Sequence, residues 1–266
     1  MAFFKLCTIR FMIFNPDCYA HRNMRRLIDY TKVLFLMAFC SSCSSIYMPN
    51  VPATPMLKEQ GEGYLAAHVN PKGNISASIA VAATDHVAIL GNGSFVDQGF
   101  DSNNYLKQWL IEGGLGYFTK IGKSKRQVLE VYGGYGLGNA LQVDKRATIN
   151  GYEAVENREM DFNKIFAQIN YSSTRKQKIS IFGEKKELNY GTAIRLSRVA
   201  MDQFQVDGSD SQEEENFFIE PVFYTRLELI NGFQLQYTSG FNIGLNNNKY
   251  LKAGNAVFTL GISYNF

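Results

Sequence analysis

The sequence predicts an all-β protein: a closed, antiparallel transmembrane β-barrel of about 10 strands, with 8 or 12 also compatible with the pattern. Three observations carry that prediction. From Gly61 onward large apolar residues alternate with small or polar ones at period two. The connections on one side of the expected sheet are long and polar, whereas those on the other side are mostly short. The last eight residues, TLGISYNF, form a strand pattern that ends on an aromatic residue.

Residues 1–42 read as a leader. Met24 is a better initiator than Met1, because residues 1–23 place a second apolar patch (FMIF) ahead of the signal. A basic stretch from Met24 to Lys32 precedes the short apolar run Val33–Phe39 and then Cys40-Ser-Ser-Cys43. That order is the one expected of a secretory signal. The run is far shorter than the ~20 residues a spanning helix needs. Cys43, preceded by Ser41 and Ser42, is the expected lipidation point. Residues 43–60 hold three of the six prolines and read as an extended periplasmic tether.

The barrel is expected over 61–266. Its strands fall near 63–70, 73–83, 86–95, 108–120, 126–139, 160–173, 187–201, 216–227, 232–242 and 255–266. The stretch 174–186, with its Ile179-Ser-Ile-Phe182 core, suits either a strand extension or a small hairpin. Starting from the anchored end, the far connections are 71–72, 96–107, 140–159, 202–215 and 243–254. The near ones are 84–85, 121–125, 174–186 and 228–231. Long loops on one side and short turns on the other are the habit of outer-membrane barrels, whose turns are periplasmic. An even strand number returns the C-terminus to the side of the first strand.

Alternate residues face opposite sides of a strand. In the last strand Phe258, Leu260, Ile262, Tyr264 and Phe266 share one face, opposite Val257, Thr259, Gly261, Ser263 and Asn265. Trp109, Ile111, Leu115 and Tyr117 oppose Glu112, Gly114 and Gly116. The large apolar set is expected to meet lipid. Isolated charges then fall on the inner face, at Glu112, Glu130, Lys164, Arg195 and Glu220. An unpaired buried charge is costly, so these five are expected to pair across the lumen or meet water. Phe118, Tyr132, Phe166 and Tyr224 would narrow the bore. Open strand edges cannot be left in hydrocarbon, so the last strand is expected to close on the first.

Composition removes several functions. The chain carries 27 Lys/Arg and 24 Asp/Glu, but six of the former and two of the latter precede Cys43, so 21 face 22 from Cys43 on. A near-neutral chain lacks the footprint of a nucleic-acid binder. Three of the four cysteines lie at or before Cys40, which leaves no disulfide framework and no Cys-based metal site. No cofactor is expected. His68 and His86 are the histidines after the leader. Asp85-His86 reads as a turn, and His68 with Ser76 or Ser78 lacks a completing carboxylate, so no enzyme is expected. Gly91-Asn-Gly93 lacks the Gly-Lys-Ser/Thr of a phosphate loop. The acidic stretch Asp207–Glu215 lacks EF-hand spacing. Lys123, Lys125, Arg126, Lys176 and Lys178 gather at the near rim, where anionic lipid or a periplasmic partner would meet them.

The terminal Phe266 with Tyr264, Ile262 and Leu260 resembles the C-terminal signal of bacterial outer-membrane barrels, which the barrel-assembly machinery reads. Together with the Ser-Ser-Cys stretch and the Gly/Tyr-rich strands, it makes the chain similar to small outer-membrane proteins of the Bacteroidota. The resemblance implies an outer-membrane location, contact with outer-membrane lipids and with the assembly machinery during insertion, and no catalytic residue. Ser44-Ser-Ile-Tyr47 after the cysteine lacks the acidic residues usual in surface-exported lipoproteins of that group, which implies a periplasm-facing lipid. The function expected is an accessory or structural subunit beside a larger outer-membrane protein, with a narrow channel for small solutes as the alternative. A lipid-modifying or proteolytic enzyme ranks below both. A soluble lipocalin-like barrel is the competing fold; it would turn the large apolar residues inward.

Overall fold

The structure is a computed structural model that describes residues 45–266 apart from 99–103, 150, 176–177, 182, 231 and 253–255. Among the described residues, ten strands form the barrel wall: β1 (Gly63–Val69), β2 (Ile75–Ala82), β3 (Val87–Asp97), β4 (Asn104–Ile121), β5 (Gln127–Thr148), β6 (Gly151–Thr174), β7 (Leu188–Val206), β8 (Glu215–Ile230), β9 (Phe233–Phe241) and β10 (Ala256–Asn265). Every neighbouring pair is antiparallel, and β1 pairs with β10 from Tyr64↔Asn265 to Val69↔Leu260, so the sheet is closed. Phe266 completes this seam by exchanging backbone bonds with Gly63 at 2.8 and 3.1 Å. The Phe266 ring lies over Gly63 in space that a Cβ would otherwise occupy.

The barrel is apolar outside and polar inside. Ile111, Leu115, Phe223, Ile169 and Leu196 are each more than half exposed, while Glu112, Glu130, Lys164 and Arg195 are buried. An apolar surface running around the whole wall far exceeds what a water-soluble monomer exposes. The lipocalin alternative is thereby excluded, and the wall spans a membrane. On β5 the apolar outer face runs from Leu129 to Leu137, close to the ~9–11 residues that a tilted strand needs.

Above Leu137 the outer face turns polar. Asn139 donates to Asp161 at 2.9 Å, Asn163 donates to Asp202 at 2.6 Å, and Arg198 Nε donates to Glu215 at 2.8 Å. This ledge marks the far edge of the lipid-facing belt. Beyond it β4 to β7 rise as an extramembrane collar. The expected long loop 140–159 is therefore mostly strand: β5 and β6 continue to a turn at Thr148–Gly151. The sequence pattern missed this because a collar wetted on its outer face loses the apolar half of the alternation. Likewise 202–215 holds the end of β7 and a short return at Ser209–Asp210. At the near end, 174–186 contains a separate hairpin, Ile179–Ile181 with Glu184–Lys186. Gly91 and Gly93 lie within β3, not in a loop.

Inner-face glycines let bulky luminal groups cross the bore. A Cβ on Gly134 would overlap the Gly113 carbonyl and the Phe166 ring. Gly134→Ala is expected to destabilise the barrel by about 1–3 kcal/mol, seen as a lower temperature for loss of the compact band in SDS electrophoresis.

Candidate functional site

The lumen is filled by the chain itself. Residues 45–57, expected as a periplasmic tether, run through the barrel instead and are almost entirely buried. Prolines correctly indicate an extended chain, but nothing in a polar, proline-punctuated segment says which compartment it crosses. What fixes it is the charged inner wall, whose groups need partners that water cannot reach.

At the far end Ser45 donates to Lys252 O at 2.6 Å, and Ile46 and Tyr47 enter a core with Phe162, Phe204, Phe218 and Leu251. Tyr47 sets its ring 5.1 Å from Phe218 and donates to Glu220 at 3.3 Å. Met48 is held on both backbone groups by Gln108, whose Oε1 accepts from Met48 N at 2.8 Å while Nε2 donates to Met48 O at 2.7 Å. Deeper, Gln168 and Asn170 both donate to Ala53 O, at 2.7 and 3.1 Å. Arg226 donates to Thr54 O and Thr54 Oγ1, and Asn265 donates to Pro55 O at 3.0 Å. Met56 takes a left-handed φ of 64°. Past this bend Leu57 N donates to Glu130 at 3.2 Å, and Leu57 packs against Tyr64, Phe118 and Tyr132 at the near end.

The five expected luminal charges all lie in the bore. Glu112 takes Arg195 at 2.9 Å and Lys164 at 3.0 Å, and Lys164 reaches Glu220 at 3.3 Å. Arg195 also lies over the Phe166 ring at 4.5 Å and donates to Gln168 at 2.8 Å. Glu130 stands apart from this cluster and is held by neutral donors, Asn170, Tyr132 and the Leu57 amide. Arg226, not singled out from the sequence, is the sixth luminal charge, stacked between Tyr64 and Tyr224 at 4.9 and 4.7 Å. Its parity with Glu220 and Tyr224 on β8 was the available signal. With it the lumen carries, among the described residues, three acidic and three basic buried side chains. A network of this kind is stable only when every member is satisfied.

Specific contacts fasten the chain at both mouths. At the far mouth Glu214 accepts the backbone N–H groups of Lys249, Tyr250 and Leu251 at 2.8, 2.9 and 2.7 Å, and Asn216 holds Leu251 O at 2.7 Å. The acidic stretch is thus partly a latch for the connection after β9. Glu214→Ala is expected to raise hydrogen exchange at amides 249–251 by about tenfold or more, since it leaves three donors without a charged acceptor. At the near mouth Lys120 donates to Glu59 at 2.9 Å and holds its carboxyl below the ordinary carboxylate range. This exposed latch is intact at neutral pH and releases as the pH falls below that range. A cavity of about 230 Å³ opens there beside Met56, Arg226 and Phe266.

The remaining expected sites are placed as follows. Leu260 and Ile262 are outward and exposed, and Tyr264 stacks between Phe233 and Phe266 at 4.4 and 5.5 Å. Cys43 and Lys176 lie outside the described residues. Lys123, Lys125, Arg126 and Lys178 lie in the near-side turns. His68 is buried in the bore, opposite Ser76 in the β1–β2 ladder. His86 Nδ1 lies 3.1 Å from Phe118 O, with its ring stacked on Tyr117, and Asp85 accepts from Gln60 N at 3.2 Å. Among the described residues no group of three or more His, Cys, Asp or Glu is arranged to hold a metal ion. The arrangement grips a peptide backbone.

No family model matches the sequence, and no curated protein matches it. Among solved structures, the chain is similar to the translocator domain of the autotransporter NalP from Neisseria meningitidis, with 11% identity, a TM-score of 0.44, and 77% of this chain and 84% of that one covered. It is also similar to the ferripyoverdine receptor of the outer membrane of Pseudomonas aeruginosa, at 11% identity and a TM-score of 0.25, with 80% and 41% covered. The ferric enterobactin receptor of Pseudomonas aeruginosa follows at 10% identity and a TM-score of 0.22, with 79% and 43% covered. The chain thus spans less than half the length of these two receptors.

Proposed function

We propose that this protein is an outer-membrane barrel of the conduit class, a sleeve that carries one extended polypeptide segment across the bilayer. The observation that carries the reading is the passage of residues 45–57 from the far core at Tyr47 to the near wall at Glu130. In an extended, three-per-turn conformation thirteen residues cover about 40 Å, enough to cross the ~30 Å hydrocarbon core.

This reading revises the channel alternative more than it preserves it. Small solutes find the bore occupied, and what the lumen recognises is peptide backbone. It also reverses the expected position of the N-terminus. Ser45 lies at the far mouth beside Lys252, on the side of the long connections, which in this reading face the cell surface. An acyl chain on Cys43 would then sit in the outer leaflet. The Ser41-Ser-Cys43 spacing supports that modification, and with the Gly/Tyr-rich strands it supports placement among the small barrels of the Bacteroidota. Mass spectrometry of the mature N-terminus tests the acylation.

The test of sidedness is a short epitope inserted between Ser44 and Ser45. Antibody is expected to bind intact cells; binding only after permeabilisation would overturn the orientation. The accessory-subunit reading has its own support. β1 and β2 have only 7 and 8 residues, short of the ~9–11 needed to cross. Their outer face carries small residues, Ala67, Ala77, Gly91 and Gly93 with β3, on which a larger partner would pack closely. Extraction in mild detergent is expected to retain such a partner, and a lone monomer would remove this reading.

A further inference from the structure

Within the threaded segment the prolines stand at 49, 52 and 55, every third residue. Three residues per turn is the repeat of a polyproline II helix, which forms no internal hydrogen bonds and leaves its carbonyls free. Each proline also lacks an N–H that would otherwise need an acceptor in the bore. The wall complements this chemistry. Gln108, Gln168, Asn170, Arg226 and Asn265 donate to the carbonyls of Met48, Ala53, Thr54 and Pro55. Gln108 and Glu130 accept the N–H groups of Met48 and Leu57. Side chains of the segment contribute fewer polar contacts: Ser45 donates to Lys252 O, Tyr47 donates to Glu220, Thr54 Oγ1 accepts from Arg226 and Met48 Sδ accepts from Asn70.

A site that reads backbone in this way does not depend on covalent continuity with its ligand. Continuity is supplied only by the linker 58–62, which lies at the near rim outside the bore. It is held at that rim by Lys58 N to Glu62 at 2.6 Å, Lys120 to Glu59, Gln60 to Asp85 and Ala83 O, and by backbone bonds of Gly61 and Glu62 to Ala82, none of them to groups in the bore.

We propose that the lumen is a recognition site for extended peptides with proline at every third residue and an aromatic residue two positions ahead of the first proline, and that residues 45–57 are an exchangeable occupant of it. The proposal rests on the sleeve reading above. Exchange would let a segment of another chain with the same chemistry pass through or dock in the bore.

The test uses the full-length protein carrying Cys43→Ser, so that no acyl chain retains the segment, and a protease site inserted between Gln60 and Gly61. After folding in detergent and cleavage, a fluorescent synthetic peptide of residues 45–57 is added, alongside a version with all three prolines replaced by alanine. Saturable uptake of the first peptide is expected, with loss of the original segment by mass spectrometry. The alanine version is expected to bind at least about tenfold more weakly, because it adds three N–H groups and is less ordered when free. Retention of the cut segment without exchange, or equal binding of both peptides, would overturn exchange and leave the sleeve intact. Immediate loss of the segment with no uptake of either peptide would overturn the sleeve itself.

Discussion

Lys164→Ala is expected to destabilise the barrel by about 3–5 kcal/mol, the usual result of removing one member of a buried ion cluster. The reason is asymmetric. Glu112 keeps Arg195 after the change, at 2.9 Å, whereas Glu220 is left with the Tyr47 hydroxyl at 3.3 Å and no cation. A buried carboxylate so placed has lost its countercharge, which loosens the grip on Tyr47. Denaturant unfolding in detergent micelles, followed through the single tryptophan, Trp109, on the outer face, measures the effect. The double variant Lys164→Met/Glu220→Gln is expected to recover most of the loss, because it removes the opposed charges together. A Lys164→Ala barrel as stable as the parent would show that the cluster is not closed to solvent.

The second large effect concerns permeability. The parent protein is expected to be electrically silent in a planar bilayer, because the bore of a ten-stranded wall is narrow and this one is filled. In the triple variant Gln108→Ala/Gln168→Ala/Asn170→Ala the segment loses four hydrogen bonds to Met48 and Ala53. At ~0.5–1.5 kcal/mol each, the loss should raise the occurrence of open events by a factor on the order of a hundred or more. Frequent openings in the parent, or a silent triple variant of normal stability, would show that these bonds do not hold the bore shut.

The wall was largely legible from the sequence because a barrel in lipid imposes a strict period of two on every strand. Ile111 against Glu112, and Ile194 against Arg195, betray the two faces without any knowledge of the fold. The collar was less legible: residues 140–148 keep their strand geometry while the outer face becomes wet, so 140–159 reads as a loop between the strands ending at Asn139 and beginning at Met160. Arg226 could have been found by carrying the parity of Glu220 and Tyr224 two residues further. Residues 45–57 could not be placed from pattern alone. Prolines at 49, 52 and 55 forecast an extended chain, but burial of that chain depends on Gln108, Gln168 and Arg226, which lie far away in sequence and meet it only when the sheet has closed.

That dependence has a consequence for biogenesis. The segment runs directly into β1 through a five-residue linker, and β1 is joined to β10, the strand made last. Ser45, at the other end of the segment, lies at the opposite mouth. Either the ring is completed around a strand of chain already laid along its axis, or a finished ring must be re-entered by that chain past Gln108, Gln168, Asn170 and Arg226, whose bonds to its backbone are not yet made. The first order of events satisfies those polar wall groups before the final seam is zipped. Newly made protein would then be expected to pass through an unsealed intermediate whose N-terminal stretch is already shielded from protease while Phe266 and Gly63 are still apart.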